Sequence, residues 1–439
     1  MKAFLKTEDL YKLYLNSSQK ITTDTRKIEP GSIFFALKGK NFDANKFAIN
    51  AINEGCSYAI VDDVSLFNGS TIFVVENVLS ALQNLAKFHR QQLKIPFIGI
   101  TGSNGKTTHK ELIYAVLSKK FNAFATNGNL NNHIGVPLSI LQINKKHEIA
   151  IIEMGANHQG EIALLSSICN PDFGLITNIG KAHLEGFGGE EGIRKGKGEL
   201  YQHLKSKNGK IFINGNDKIL LELSGEVEKI YYGENETFDV YGQLIKNSEF
   251  VEFKWVQKSK SLKNRPLIKT HLFGHYNFIN VLCAACIGNY FEVEDHLINE
   301  ALNEYIPDMN RSQVKVTKNN SLILDAYNAN PTSISLAIEH FVKQPFKNKT
   351  IILGDMFELG IYSENEHKNI LNKLKKIKEV KLILIGENFH ALKDHYSDFL
   401  FFKKIEDAET HLHNHKILNG YILIKGSRAI HLEKLVDFL

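Results

Sequence analysis

Short apolar runs alternate with segments of helical periodicity along most of this chain. In its first part, apolar runs at 32–37, 58–61 and 71–75 predict strands, and the spacing of apolar positions over 45–54 and 78–93 predicts helices. Strands that alternate with helices are typical of α/β domains. The beginning of the chain therefore predicts a small α/β unit.

A second unit begins after Pro96, and its strands are apolar without interruption, as in 148–154 and 173–178. Continuous apolar strands favour a parallel sheet that is buried on both faces. Over 231–272 the pattern changes to an alternation of apolar and polar positions, most clearly in 251–256. This change predicts an antiparallel appendage to the second unit.

The strand and helix alternation resumes from about residue 309. The predicted strands of this third unit are 322–325, 350–355, 381–386 and 421–426. Several of them end in Asp, Gly or Lys. Ligands of open α/β sheets bind outside the carboxyl ends of the strands, so the third unit is expected to have a binding edge of its own.

A glycine-rich stretch, residues 102–108, joins an apolar strand to a predicted helix. Its glycines allow backbone N–H groups to surround a polyphosphate, Lys106 supplies a mobile charge, and the Thr107 hydroxyl can bind Mg²⁺. The strict P-loop pattern has its first glycine where Ile100 stands, so this loop is a variant. The alternative is a glycine-rich turn with an incidental lysine, and the pattern favours the phosphate cradle.

Length and pattern together predict three domains. At roughly 150 residues for each domain, 439 residues accommodate about three. The predicted fold class is α/β, with a central P-loop parallel-sheet ATPase domain flanked by a small N-terminal α/β domain and a C-terminal Rossmann-like α/β domain. The predicted boundaries are 1–94, 95–307 and 308–439.

Two further polar residues are expected at the edge of the sheet that carries the P-loop. Glu153 closes an apolar strand, and its carboxylate would emerge beside Lys106, where it could bind Mg²⁺. Taken alone, it could equally be a solvated residue at a strand end. His183 follows the next strand, and a lone histidine is more often packed or exposed than a ligand.

Composition excludes several functional classes. Lysine and arginine total 53 against 48 acidic residues, and a net charge of +5 lacks the dense basic stripes of a nucleic-acid-binding protein. The first residues lack the apolar core of a signal peptide, and no apolar run approaches the length of a membrane span, so we expect a cytoplasmic protein. Cys283 and Cys286 lie in an apolar helical run, which favours core residues over a redox or metal pair.

Several motifs in this order resemble those of the Mur ligase superfamily of peptidoglycan synthesis. They are TDTR at 23–26, GSNGKTT at 102–108, GNLNN at 128–132, EMGAN at 153–157, NIGKAHLE at 178–185, DAYNANP at 325–331, LGDMFELG at 353–360 and KGSR at 425–428. The shortened glycine spacing of the P-loop is usual in this superfamily. The 129–132 and 327–331 segments resemble the branch that adds a dipeptide.

The resemblance implies an ATP-dependent amide ligase that adds D-alanyl-D-alanine to UDP-N-acetylmuramoyl-tripeptide. ATP would phosphorylate the terminal carboxylate of the peptide, and the amine of the dipeptide would attack the acyl phosphate. The implied partners are these two small molecules, without nucleic acid or a membrane span, and the implied state is a monomer. The N-terminal domain would bind the UDP substrate, the central domain ATP, and the C-terminal domain the incoming dipeptide.

Matching positions imply individual roles. The implied catalytic residues are Lys106, Glu153, His183 and Lys197. The implied ATP-binding residues are Gly102, Ser103, Asn104, Gly105, Lys106, Thr107, Thr108, Asn277, Asn280, Arg311, Asp325 and Asn328. The implied contacts to the UDP-linked substrate are Thr25, Arg26, Asn129, Asn131 and Asn132. A pair of Mg²⁺ ions would be bound by Thr107, Glu153, His183 and Lys197, the last as a carbamate.

The resemblance leaves alternatives at some positions. Lys197 matches the family's carbamylated lysine, and Lys195 is its rival. Tyr276 stands where the family commonly has histidine, which favours Asn277 over His275 as the nucleotide contact. At the strand ends of the third domain, the implied dipeptide contacts could equally have capping or turn roles. These contacts are Asp355, Glu358, Ser427 and Arg428.

Two other functions are compatible with these motifs. One is a sister ligase that adds a single amino acid, including an enzyme of the folylpolyglutamate type. The other belongs to a different class, a nucleotide-gated binding protein that uses its P-loop as a switch.

Overall fold

The computed structural model of this protein describes residues 4–245, 248–308 and 311–439. Three sheets, each dominated by parallel strands, follow one another along the chain. This arrangement confirms the predicted α/β fold class. The first three residues of the predicted N-terminal domain, and the start of the third unit at about 309, lie outside the described residues.

The first sheet has four parallel strands in the order β1-β2-β5-β6, and a small antiparallel pair, β3-β4, lies beside it. The elements are α1 Thr7–Asn16, β1 Ile21–Thr22, β2 Ile33–Phe35, β3 Lys38–Gly39, β4 Phe42–Asp43, α2 Ala48–Asn53, β5 Tyr58–Val61, β6 Ile72–Val74 and α3 Val78–Gln92. The strands and helices predicted here from periodicity are all present.

The second sheet has nine strands in the order β15-β14-β13-β12-β11-β10-β7-β9-β8. Its elements are β7 Phe97–Thr101, α4 Lys106–Leu117, β8 Ala123–Ala125, α5 Gly135–Ile140, β9 Ile149–Glu153, α6 Glu161–Cys169, β10 Phe173–Ile176, α7 Leu184–Phe187, α8 Glu190–Ser206, β11 Lys210–Asn214, α9 Lys218–Ser224, β12 Glu228–Gly233, β13 Val240–Leu244, β14 Phe250–Gln257, β15 Ile268–Phe273, α10 Phe278–Tyr290 and α11 Asp295–Glu304.

The predicted antiparallel appendage is part of this sheet. Strand β13 pairs with β12 in parallel, and β14 and β15 then add antiparallel strands at the same edge. The periodicity correctly indicated antiparallel strands, but it could not show that they extend the central sheet.

The third sheet has six strands in the order β16-β17-β21-β18-β19-β20, and only β16 is antiparallel to its neighbour. Its elements are β16 Gln313–Val316, β17 Ser321–Asp325, α12 Pro331–Lys343, β18 Lys349–Gly354, α13 Ser363–Leu374, β19 Val380–Ile385, α14 Glu387–His390, β20 Leu400–Phe402, α15 Ile405–Asn414 and β21 Tyr421–Lys425.

The uninterrupted apolar strands of the central sheet reach two different cores. In β9, Ile149 and Ile151 face one apolar cluster, whereas Ala150 and Ile152 face another on the opposite side of the sheet. Successive side chains of a strand point to opposite faces, so both sets must be apolar when helices cover both faces. Each fully buried isoleucine contributes about 1.5–3 kcal/mol to folding.

Cys283 and Cys286 are buried core residues of α10, as predicted, and all four cysteines are free thiols. Among the described residues, we find no helix with the length and apolar character that crossing a bilayer requires.

Candidate functional site

The strand order of the central sheet brings three carboxyl ends together. Strand β7 lies between β10 and β9, and Thr101 pairs with Ile176 on one side while Ile100 pairs with Glu153 on the other. The loop that follows β7 therefore lies beside the ends of two neighbouring strands. This is the edge where open α/β sheets bind ligands.

The P-loop follows β7 and begins α4. Gly102 and Gly105 have φ angles of +139° and +74°, which glycine adopts without a steric penalty. A Cβ atom on Gly102 would lie 2.0 Å from the Thr177 hydroxyl oxygen. The Lys106 ammonium donates to the Gly102 carbonyl oxygen over 2.8 Å, and burial lowers the pKa of Lys106. The lysine side chain thus folds back over its own loop. A phosphate bound in the loop would take the place of the carbonyl oxygen as the acceptor of the lysine's hydrogen bond.

Glu153 is connected to the P-loop rather than solvated. Its side chain is 1% exposed, and the Thr107 hydroxyl donates to Oε2 over 2.9 Å. The Asn131 amide donates to Oε1 over 2.8 Å, which brings the 128–132 segment to the same place. The alternative of a merely solvated strand end is therefore wrong for Glu153.

These oxygen atoms fit a magnesium ion held partly by a nucleotide. Magnesium is usually bound by one or two carboxylates together with waters and substrate phosphates, rather than by a full set of protein ligands. In residues 4–245, 248–308 and 311–439, no group of three or more His, Cys, Asp or Glu side chains could hold a metal ion. A buried carboxylate beside a hydroxyl at the start of the P-loop helix matches that mode of binding.

Burial distinguishes Lys197 from Lys195. Both lie on α8, but Lys195 is exposed, whereas Lys197 is 1% exposed and its Nζ donates to the Ala156 carbonyl oxygen over 3.0 Å. Burial, reinforced by the positive charge of Lys106, lowers the pKa of Lys197 well below its ordinary value. A lowered pKa favours the neutral amine, which is the form of a lysine that reacts with CO₂.

His183 contacts the third domain. It has a φ of +55°, and its Nδ1 lies 2.6 Å from Glu358 Oε2. This close contact with His183, together with the charges of His183 and Lys106, lowers the pKa of Glu358. His183 is therefore neither a core residue nor a free surface histidine, which were the two alternatives to a functional role.

A cavity of about 560 Å³ lies between the P-loop edge and the third domain. This volume is in the usual range of small-molecule sites. The predicted site residues that line it are Ser103, Asn104, Gly105, Lys106, Thr107, Thr108, Asn129, Asn131, Asn132, Glu153, His183, Asn277, Asn280, Arg311, Asp325 and Asn328.

The third domain contributes a charged wall to this cavity. Asp325 and Lys425 end the paired strands β17 and β21, and Lys425 Nζ lies 2.6 Å from Asp325 Oδ2. The Arg311 guanidinium stacks on Tyr327 at 3.6 Å. Lys425 and Tyr327 line the cavity but were not assigned a role from the sequence. The position of Lys425 at the end of an apolar strand could have indicated it.

The segment between β15 and α10 is organised by amide hydrogen bonds. Asn277 Nδ2 donates to the Phe273 carbonyl oxygen over 2.8 Å, and Asn280 Nδ2 donates to Asn277 Oδ1 over 2.7 Å. The hydroxyl of Tyr276 lies 3.2 Å from that of Ser312. Both asparagines are buried and line the cavity.

Thr25 and Arg26 do not line the cavity. They lie on a short 3₁₀ turn of the first domain, and the Arg26 guanidinium donates two hydrogen bonds to the Asp24 carboxylate, of 2.9 and 2.8 Å. The Arg26 side chain is 87% exposed. Any contact of this arginine with the substrate would be made outside the central cavity.

Two of the predicted dipeptide contacts have the alternative roles of capping and turn formation. The Asp355 carboxylate is buried and accepts the backbone N–H groups of Asn388 and Phe389 at the start of α14. The Ser427 hydroxyl oxygen accepts the Phe357 N–H over 3.1 Å. These side chains are committed to the fold of the third domain.

Of the other two predicted dipeptide contacts, Glu358 contacts the central domain and Arg428 contacts a residue of its own domain. Glu358 binds His183, as described above, and the exposed Arg428 lies 5.2 Å from the Tyr327 ring. None of the four predicted dipeptide residues lines the cavity among its described residues.

Comparison with known proteins shows which family this chain resembles. Family models for the Mur ligase middle domain and for the Mur ligase, glutamate ligase domain match residues 100–288 and 310–428. The UDP-N-acetylmuramoyl-tripeptide–D-alanyl-D-alanine ligase of Bacillus subtilis is 35% identical, over 95% of this chain and 92% of that protein.

Solved structures agree with this similarity. MurF from Acinetobacter baumannii superposes with a TM-score of 0.85 at 31% identity, covering 95% of this chain and 92% of that chain. The MurF ligase of Thermotoga maritima, solved in complex with ADP, has a TM-score of 0.83 at 26% identity, with 95% and 96% covered. The single-amino-acid alternative is not favoured by these matches. The chain therefore belongs to the Mur ligase family, in the branch of the D-alanyl-D-alanine-adding ligases.

Proposed function

We propose that this protein is an ATP-dependent ligase that joins D-alanyl-D-alanine to UDP-N-acetylmuramoyl-tripeptide. The observation that carries the proposal is the cavity in which the P-loop, Glu153 and His183 face Asp325 and Arg311 of the third domain. A ligase must hold a nucleotide and two further reactants together, and a cavity between domains is suited to that task. The similarity over nearly the full length to ligases of this name supports the same substrates.

The reaction needs an activated carboxyl group. A carboxylate is a poor electrophile at neutral pH, so the γ-phosphoryl group of ATP is first transferred to the terminal carboxylate of the tripeptide, releasing ADP. The amine of the dipeptide then attacks the acyl phosphate carbon, loses a proton, and expels inorganic phosphate as the amide bond forms. The protein contributes mainly position and charge to these steps.

The residues of the P-loop edge have separate tasks in this scheme. The backbone of residues 102–108 and Lys106 bind the phosphates, and the lysine stabilises the negative charge that develops on the transferred group. Thr107 and Glu153 would hold Mg²⁺, which neutralises charge between the phosphates when it is bound. His183, together with Lys197 as a carbamate, would serve a second ion.

The remaining site residues bind and orient the reactants. Asn277, Asn280, Arg311, Asp325 and Asn328 hold ATP from the α10 side and from the third domain. The UDP-linked substrate is bound by Thr25 and Arg26 in a first domain that ends near residue 94, and the Asn129, Asn131 and Asn132 loop lies where its peptide reaches the central domain. The third domain, from about residue 308, receives the dipeptide. We propose that the enzyme works as a cytoplasmic monomer.

Phosphate release tests this function directly. With ATP and Mg²⁺, release should require both UDP-N-acetylmuramoyl-tripeptide and D-alanyl-D-alanine, and mass spectrometry should detect the UDP-linked pentapeptide. Equal turnover with a single free amino acid would instead indicate a sister ligase. Hydrolysis that is indifferent to both acceptors would indicate a nucleotide switch and would overturn the proposal.

A further inference from the structure

We propose that Lys110 is a positioning residue that holds the 128–132 loop in the shape in which it binds the UDP-linked substrate. The inference deepens the proposed function, because it explains what keeps the loop of Asn129, Asn131 and Asn132 in place. It rests on the proposed function only where substrate binding is the readout. Lys110 was not assigned a role from the sequence.

The Lys110 side chain is fully buried on α4, one turn after the start of that helix. Lysine is almost never buried to this extent unless its charge is paired. Its ammonium donates to the Thr126 carbonyl oxygen over 2.6 Å and to the Gly128 carbonyl oxygen over 3.2 Å. Glu111 Oε1 lies 3.0 Å away. Three oxygen atoms therefore surround the three donors of this ammonium, and two of them belong to the backbone where the loop begins.

The backbone that Lys110 holds leads directly into the loop. Thr126 follows β8, and its hydroxyl oxygen accepts the Glu153 N–H over 3.0 Å. Farther along, the Asn131 side chain donates to Glu153 Oε1 over 2.8 Å, and the Gly155 N–H donates to the Asn131 carbonyl oxygen over 2.7 Å. The loop is therefore attached to the end of β9 on one side and, through Lys110, to α4 on the other.

The loop is packed too closely to shift without moving its side chains. A Cβ atom on Gly155 would lie 2.8 Å from Oδ1 of Asn131, so the loop lies directly against the chain that follows β9. The side chains of Asn129, Asn131 and Asn132 line the cavity. A displacement of the loop would therefore move these three side chains relative to a bound substrate.

Helix α4 acts on Glu153 by two routes. Thr107 donates directly to Oε2 of Glu153, whereas Lys110 acts on Oε1 through the loop and Asn131. Residues three apart are neighbours on the surface of a helix, so Thr107 and Lys110 lie along the same side of α4. One buried ammonium thus joins the helix that follows the P-loop to the loop proposed to bind the other substrate.

Isothermal titration of the full-length protein tests the proposal. Lys110→Met keeps an unbranched apolar side chain but lacks all three donors. Its dissociation constant for UDP-N-acetylmuramoyl-tripeptide should rise at least about tenfold, because the loop would spend only a small fraction of the time in the binding shape. Its dissociation constant for ADP should change much less, since the P-loop precedes Lys110 and keeps its own hydrogen bonds. Equal weakening of both ligands, or unchanged affinity for the UDP-linked substrate in the folded variant, would overturn the proposal.

A second lysine provides the matched control. Lys119 lies just after α4 and pairs with Glu300 at 2.6 Å and Glu304 at 2.9 Å. It does not line the cavity among the described residues, so Lys119→Met should leave both dissociation constants unchanged. A loss of substrate affinity as large as that in Lys110→Met would mean that the loop is not the cause, and would overturn the proposal.

Hydrogen–deuterium exchange gives a readout that does not depend on function. In the unmodified protein without ligands, the Leu130 and Gly135 N–H groups should be protected, because they donate to the Asn127 carbonyl oxygen and to Asn132 Oδ1. In Lys110→Met, exchange over 127–135 should be at least about tenfold faster, since hydrogen bonds from a charged donor are lost, whereas exchange over 149–153 should be unchanged.

The exchange result also decides the proposal if the variant does not fold. Unprotected loop amides in the unmodified protein would mean that Lys110 does not hold the loop, and would overturn the proposal. Failure of the proposed function would show itself differently, as absent acceptor-dependent phosphate release in an unmodified protein whose loop amides are protected.

Discussion

The Thr107 hydroxyl donates a hydrogen bond to the Glu153 carboxylate over 2.9 Å, although 46 residues separate the two in the chain. Thr107 belongs to the first turn of α4, and Glu153 is the last residue of β9. Because β7 and β9 are neighbours in the sheet, the P-loop and this carboxylate lie side by side at one edge. Changes in either element should therefore affect the binding of nucleotide phosphates.

Replacing Lys106 with alanine should reduce kcat by at least about a hundredfold, since one charged donor to a transferred group contributes on that scale. The measurement is acceptor-dependent phosphate release, with folding checked by circular dichroism. Lys145→Ala removes an exposed lysine away from the cavity and should leave turnover unchanged. Full activity of a folded Lys106→Ala enzyme would contradict the phosphate-cradle assignment.

Replacing Lys197 with alanine should abolish most activity, and short-chain carboxylic acids should restore part of it. The reason is that a small acid can supply the carboxylate that the carbamate would provide. Lys195→Ala is the matched control, because this lysine lies two residues away on the same helix and is exposed; its activity should be unchanged and indifferent to added acid. Rescue that is absent at every acid concentration would leave the carbamate without support.

Replacing Gly102 with alanine should destabilise the central domain by about 2 kcal/mol or more and impair ATP binding. The added Cβ would lie 2.0 Å from the Thr177 hydroxyl oxygen, on backbone with a φ of +139°. Urea unfolding and nucleotide titration measure the two effects. Gly225→Ala is the control, since nothing lies within 4 Å of its added Cβ and only its backbone, at φ +49° and ψ −126°, would be strained, at a cost of about 1–3 kcal/mol.

The free energy of unfolding should fall between pH 6.5 and pH 4, in part because of His340. Burial, with a smaller effect from the charge of His275, lowers the pKa of His340 from 6.5 to about 4. In this interval the unfolded chain binds a proton at this position and the folded chain does not, so stability rises with pH. Above pH 6.5 both states are neutral and the effect disappears.

The comparison of His340→Gln with the unmodified protein isolates this contribution. Urea unfolding at pH 7 and at pH 5 should show a smaller loss of stability on acidification in the variant. An equal loss in both proteins would mean that His340 does not remain neutral in the folded state.

Much of the fold could be predicted because it depends on local pattern. The strands at 148–154 and 173–178 were found as continuous apolar runs, and they are continuous because both of their faces are buried. The P-loop was found because its glycines, lysine and threonine are adjacent in the chain. Features whose chemistry lies within a few consecutive residues are accessible to sequence reasoning.

Only some features of the site could be predicted. The burial of a side chain and its hydrogen-bond partners depend on contacts between residues that are distant in the chain. Lys195 and Lys197 are the same residue type in the same segment, so the sequence does not distinguish them. Only the packing of α8 shows that Lys197 is the buried one. Asp355 directly follows an apolar strand and Glu153 ends one, yet the Asp355 carboxylate caps α14.

The sequence by itself determined the order of strands and helices, the glycine-rich loop between β7 and α4, and the family motifs, since each depends on neighbouring residues. The tertiary structure alone decided which strand ends are adjacent, and so which polar groups meet. The strand order brings Glu153 next to Thr107. The packing of the third domain against the central one brings Glu358 into contact with His183. The physical reason is that a hydrogen bond requires proximity in space, and proximity across domains depends on the packing of whole sheets.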